Sequence, residues 1–392
     1  MQRFNSSLSN VFVRSLLASA GALAACLGAA SAQAADLIDV TKFVVPSKSP
    51  TTAPCSGTSD DTDYIHDALA AAIAAKSGLY FPAGAKCRTS QTLSLTKLIT
   101  LKGDGPGVSH LIYTGNTNNN FIEVIPPVRS GGCPAPGAPG TGSIAENIGH
   151  TITGLDITPE VEDSGSGNAI WVYLQCGAPY AYFDYSNLRI GPFGGLGLLL
   201  DNSVANENGF FNGRVSNSLI FNGINVINMG DSVTFEKVTA SGSHNVSLSG
   251  LGGARQSAWI GGQISTKNGA LALTGVHGFR ARDVWIEEQS ACTSGCTTAA
   301  ISVVDSWDAV FEGLTFNVKD NTALTTAIAL YGARDTKIIN NNFVNRGTSY
   351  HIYGAASGLG ATKRTRVEGN NYYLEADSQP YPAVVTFQSG SN

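Results

Sequence analysis

Apolar and polar positions alternate at a step of two through the second half of the chain. From Phe279 the pattern reads Phe279-Arg-Ala-Arg282-Asp-Val-Trp285-Ile-Glu287-Glu288, then a Cys292–Cys296 loop, then Ala300-Ile-Ser-Val-Val-Asp305. It restarts at Ala309-Val-Phe311-Glu312-Gly-Leu-Thr-Phe316 and closes on Ala327-Ile-Ala-Leu-Tyr331-Gly332. A step of two, broken by Gly, Asn, Ser and Thr turns, specifies short strands; helical spacings of three and four do not recur in these units. One apolar position recurs at Phe235, Ile260, Ala281, Phe311, Ile339 and Val367, at intervals of 21 to 30 residues. A unit of that size cannot bury its apolar face alone, so the reading is an all-β parallel solenoid of about ten coils built by stacking copies. The residue after each tracked position points outward, which gives the column Glu236, Gly261, Arg282, Glu312, Asn340, Glu368. With coils about 4.8 Å apart, Arg282 falls against Glu312. Asn342 and Asn370 fall at one position of consecutive coils and predict a stacked asparagine turn. One helix stands apart: Asp60-Asp-Thr-Asp63 supplies an N-cap and Tyr64 to Ala75 is apolar and alanine-rich.

The N-terminus carries an export signal. Arg3 and Arg14 flank a polar start, Leu16 to Ala30 is apolar, and Ala32-Gln33-Ala34 is a cleavage signal, so residues 1–34 are read as a signal peptide and 35–392 as one domain. The localisation that follows is secreted or periplasmic. Leu23-Ala-Ala-Cys26 offers the alternative of a lipobox and a lipid-anchored outer-membrane protein. Beyond this segment no stretch is long and apolar enough to span a bilayer. Six cysteines then remain, an even count that favours disulfides in an exported chain. Fifteen pairings are open; proximity along the chain favours Cys55–Cys87, Cys133–Cys176 and Cys292–Cys296. Net charge is −5, with no basic cluster, which argues against a nucleic-acid partner.

One segment adds a resemblance. Asp60-Asp61-Thr62 before the helix, Gly78-Leu-Tyr-Phe-Pro-Ala-Gly84, and Ile99-Thr-Leu-Lys-Gly-Asp-Gly105 resemble the entry into the pectate-lyase-superfamily right-handed parallel β-helix. The likeness is specific over about Ser56–Gly115 and rests on the repeat alone over Gly149–Gln388. It implies a right-handed β-helix whose open N-terminal end is capped by the helix. It also implies a polysaccharide as partner, since the family holds polysaccharide depolymerases, glucanases and tailspikes. The homotrimer common among tailspike-like members stays open.

The candidate chemistry is carboxylate chemistry. Hydrolysis of a glycosidic bond needs two carboxyls flanking it, one of them protonated. Glu287 ends one strand and Asp305 the next of the same coil; Glu312 sits one coil on, against Arg282. These four are the catalytic candidates. Trp285, Trp307 and Tyr331 offer stacking faces to sugar rings, and Glu288 adds a carboxylate. Elimination from a uronate instead needs a base and a cation for the carboxylate, for which Arg282, Lys319, Arg346, His351 and Tyr353 are candidates. His244 reads as a turn residue, because the acids that should accompany a polygalacturonase-like histidine are replaced near Phe221-Asn222. No cofactor is required; calcium is left as an alternative with only Glu287 and Glu288 to name for it. The residues lean to an exported polysaccharide-degrading hydrolase, with a polysaccharide lyase and an inert tailspike-like binding module as alternatives. The 125–148 loop, pinned by Cys133, is read either as an insertion or as the wall of a groove.

Overall fold

A computed structural model describes residues 37–44, 54–126, 149–175, 180–203, 209–250, 256–267, 269–288, 299–318, 326–345, 350–374, 385–388 and 390–391. The export segment with Cys26, and Cys133, Cys176, Cys292, Cys296, Lys319 and Arg346, lie outside them.

The strands stack in parallel register into a right-handed parallel β-helix. Each full coil has three strands, which form three faces. The first two faces meet at a sharp corner and merge into a 21-stranded sheet; the third is an 11-stranded sheet, so the described residues make eleven turns where the repeat suggested about ten. Ile152, Tyr185, Val215, Phe235, Trp259, Ala281, Phe311 and Ile338 all point inward from the first face and are buried. Inward residues stack on their counterparts one coil away: Phe235 on Trp259 at 4.9 Å, Phe316 on Phe343 at 4.7 Å.

The corner explains both the repeat and two slips in reading it. Two residues after each inward position the backbone turns through a left-handed conformation, at Gly154, Asn187, Asn217, Lys237, Gly261, Asp283, Gly313, Asn340 and Gly369. Gly, Asn and Asp tolerate that φ best. Corner side chains also lean over the next coil's glycine: a Cβ on Gly313 would lie 2.6 Å from Asp283 Oδ1. Counting back two from the corner puts Trp259, not Ile260, and Ile338, not Ile339, in the core; Ile260 is 42% exposed. The outward column therefore reads Glu236, Ile260, Arg282, Glu312, Ile339, Glu368. The asparagine ladder is shifted likewise. Asn341 Nδ2 donates to Asn370 Oδ1 at 2.9 Å, and Asn342 pairs with Asn371.

The helix Thr62–Ala75 packs Ile65, Ala68, Leu69 and Ala72 onto the strands that open the first coil. Asp61 occupies the N-cap position, but its carboxylate accepts the N–H groups of Cys55 and Arg88; Asp60 Oδ1 accepts the Thr62 N–H at 3.0 Å. The expected Cys55–Cys87 disulfide is present and ties the segment before the helix to that first coil. Among the described residues no helix is long and apolar enough to cross a membrane.

Candidate functional site

The expected site residues are spread around the solenoid. Arg282 and Glu312 do meet, on the first face, with Arg282 Nε and Nη2 at 3.2 and 3.0 Å from Glu312 Oε2. Both are solvent-accessible, so the pair contributes at most about 1 kcal/mol. Trp285 and Glu287 project from the second face, where Glu287 Oε2 accepts from Gln263 Nε2 at 2.9 Å. Glu288 continues that strand. Asp305 lies in the turn between the third and first faces, in a left-handed conformation, and its Oδ1 accepts the Leu359 N–H at 3.0 Å. Glu287 and Asp305 thus stand at separate edges of the third face and do not face one another across one bond. Trp307 is in the same turn as Asp305, edge-on to His277 at 4.3 Å. Tyr331 and Tyr353 project from the third face with ring centroids 6.2 Å apart. His351, a candidate for the elimination reading, is buried beside the rings of Tyr372 and Phe343, and burial lowers its pKa.

A different region has the marks of a site. Several later borders of the third face are short turns, such as 230–233, 305–309 and 332–336 on one edge and 222–223 and 243–245 on the other. Beside the strands Ile122–Val124, Ile170–Tyr173 and Leu198–Asp201 one border is longer in each coil, at 114–121, 160–169 and 191–197. Long connections along the edge of a rigid sheet are where binding residues concentrate.

Alternation fixes which side chains line this stretch. Ile170, Val172, Leu198 and Leu200 point into the core, so Trp171, Tyr173, Leu199 and Asp201 point out. The register stacks Glu123 on Trp171 on Leu199 on Asn225, and Tyr173 on Asp201. The Trp171 and Tyr173 rings are stacked at 4.9 Å. Trp171 Nε1 donates to Asp201 Oδ2 at 3.3 Å, and the Ser203 N–H donates to Asp201 Oδ1 at 2.9 Å. Asn120 Nδ2 donates to Glu123 Oε1 at 3.0 Å and is itself held by a ladder, its Oδ1 accepting from Asn168 Nδ2 at 2.8 Å. The result is an aromatic platform with a fixed carboxylate on either side. The sequence shows Trp171 and Tyr173 in an alternating strand, and the signal in it is that both aromatic residues fall on the outward parity.

One border is braced by aromatic residues that extend the main core. Tyr180–Ala181 pairs with Phe210–Phe211, and Tyr180, Phe183, Tyr185 and Phe210 pack together. Among them His150 is buried. Its Nε2 lies 2.6 Å from the Lys97 carbonyl and its Nδ1 2.9 Å from the Tyr180 hydroxyl, which lies 3.2 Å from that of Tyr185. A carbonyl only accepts, so Nε2 carries the proton and Nδ1 accepts from Tyr180. Burial pushes the His150 pKa down to about 4, with the Lys97 carbonyl opposing, and pushes both tyrosines up. Among the described residues no group of three or more His, Cys, Asp or Glu is arranged to hold a metal ion.

No family model and no curated protein matches the chain. Solved structures do. DFA-IIIase from Arthrobacter chlorophenolicus A6, in complex with GF2, superposes with a TM-score of 0.61 at 12% identity over 91% of this chain and 92% of its own. The A-module of a mannuronan C-5 epimerase from Azotobacter vinelandii gives 0.55 at 13% identity, over 86% and 99%. The N-terminal fragment of bacteriophage Phi29 gene product 12 gives 0.54 at 13% identity, over 90% and 64%. At these identities the likeness establishes architecture: the chain has the fold of the pectate-lyase-like parallel β-helix proteins.

Proposed function

We propose that the chain is an exported polysaccharide-degrading enzyme that binds its substrate along the third face between residues 122 and 201 and cleaves glycosidic bonds there. The stacked Trp171–Tyr173 platform between Glu123 and Asp201 carries this reading. Aromatic faces take the apolar face of a sugar ring, and the flanking carboxyls are the pair that hydrolysis requires. Two neighbours in fold are named for reactions on sugars, DFA-IIIase and the mannuronan C-5 epimerase, and the Cys55–Cys87 disulfide suits an oxidising compartment. Glu123 takes the role of general acid: its Oε1 is held by Asn120, and Asp201 has both oxygens engaged as acceptors.

The test is digestion of a panel of neutral and uronate-containing polysaccharides, following new reducing ends and the ultraviolet absorbance of an unsaturated uronate. New ends without that absorbance are expected. Glu123→Gln should lower the rate about 100-fold, within the usual contribution of a general acid. Trp171→Ala should raise KM about tenfold, at about 1.4 kcal/mol of lost ring contact. Absorbance rising with the ends would replace hydrolysis by elimination. A Glu123→Gln rate equal to wild type would remove this site.

A further inference from the structure

Around the corner from the platform, on the second face of the first four coils, four polar residues stand in one outward column. The register places Lys86 beside His110, His110 beside Asp156, and Asp156 beside Arg189. Successive members are about 4.8 Å apart. Strand alternation explains the column, because the intervening Cys87, Leu111, Ile157 and Ile190 fill the core. Its composition has no such explanation. A sheet exterior needs no buried carboxylate, yet the Asp156 side chain is only 4% exposed.

Asp156 Oδ2 lies 3.3 Å from His110 Nδ1 and 3.7 Å from Arg189 Nη1, contacts too long to be strong charge-assisted hydrogen bonds. Asp156 Oδ1 is buried with no hydrogen-bond partner. A buried carboxylate so partnered is unfavourable compared with a neutral residue, and such a group calls for a role. The role visible in the geometry is to hold two cationic or polar heads in place. Arg189 keeps 54% of its side chain exposed and His110 keeps 24%. Lys86 is exposed at the far end. Two residues along the strands, Arg88 is already neutralised by an ion pair to Glu160. The outward charge left over is positive and is spaced along the solenoid axis.

We infer that the column Lys86–His110–Asp156–Arg189 is a binding site for the anionic group of an acidic polysaccharide, with Asp156 the residue that positions His110 and Arg189. Guanidinium and ammonium heads match carboxylate and sulfate oxygens. Assigning the anion to a sugar rests on the polysaccharide reading above; the cationic geometry does not.

The experiment measures binding of the full chain to three probes by calorimetry: polygalacturonate for carboxylates, dextran sulfate for sulfates, and neutral dextran. Arg189→Gln and Lys86→Gln should each weaken one or both anionic probes about tenfold and leave dextran unchanged. Both positions are exposed, so the fold is kept. Asp156→Asn separates positioning from charge. Removing a negative charge from an anion site would by itself tighten binding, whereas loss of positioning weakens it, and weakening is expected. The inference is overturned if neither anionic probe binds, if Arg189→Gln and Lys86→Gln bind both as wild type does, or if Asp156→Asn binds more tightly. Trp171→Ala reports on the platform independently: its raised KM for cleavage with anion binding intact leaves this site standing, and the converse pattern leaves the platform standing.

Discussion

Replacing Trp259 by alanine is expected to lower the unfolding free energy by about 3–5 kcal/mol, while replacing its neighbour Ile260 by alanine should cost less than about 1 kcal/mol. Trp259 is fully buried, stacks on Phe235 at 4.9 Å, and sits in the middle of the solenoid, where coils on both sides hold the cavity open. Its Nε1 donates to the Gly261 carbonyl at 3.1 Å, so truncation also leaves that carbonyl one donor short. Ile260 points outward between Glu236 and Arg282 and its loss opens no cavity. Guanidinium unfolding of the two variants decides the matter. A solenoid is stabilised by nearest-neighbour contacts, so the loss in Trp259→Ala should also appear as faster amide exchange concentrated in the strands Thr234–Gly242, Ala258–Thr266 and Arg280–Arg282. Equal destabilisation by the two substitutions would mean the inward position is Ile260 after all.

That pair also marks where the sequence was legible. Alternation at a step of two and turns every few residues are local properties, and they specify stacked strands because no single coil buries its own face. Register is harder, since a slip of one residue exchanges inside for outside. Following the aliphatic residue chose Ile260 over Trp259, and side-chain type could not distinguish Ile338 from Ile339. Following the left-handed corner at Gly261 and Asn340 chooses correctly, because backbone geometry repeats more strictly than side-chain type. The candidate site was less legible for a related reason. Glu287 and Asp305 are near in sequence, but a coil has three faces, and residues separated by one strand and one turn are carried to different sides. Glu123, Trp171 and Asp201 are far apart in sequence and are united only by the vertical register of three coils. His351 shows the limit of alternation itself: the positions stacked beneath it, Ala300 and Ala327, are also buried, so the strand is enclosed on both parities where it enters the third face.

Acid should loosen the border of the platform before the rest of the solenoid. His150 is buried and neutral, and its pKa falls from 6.5 to about 4 on folding, chiefly through burial. Its folded pKa lies below its unfolded one, so between these values the unfolded chain binds more protons and stability rises with pH. The full contribution is present above pH 6.5, declines as pH falls, and is lost once pH passes through about 4, a difference on the order of 3 kcal/mol. The structural cause is specific. A protonated ring would be a charge held away from water, and the Lys97 carbonyl beside Nε2 offsets only part of that cost. His66 and His351 shift in the same direction by burial, so the wild-type profile alone does not isolate His150. The difference between wild type and His150→Gln does. The variant should be less stable at neutral pH, where it loses the bonds to Tyr180 and Lys97, and its stability should fall less steeply than that of wild type between pH 6.5 and 4. Parallel stability profiles for the two proteins over that range would show that His150 does not titrate on unfolding, and the border would then owe its stability to the Tyr180, Phe183 and Phe210 packing alone.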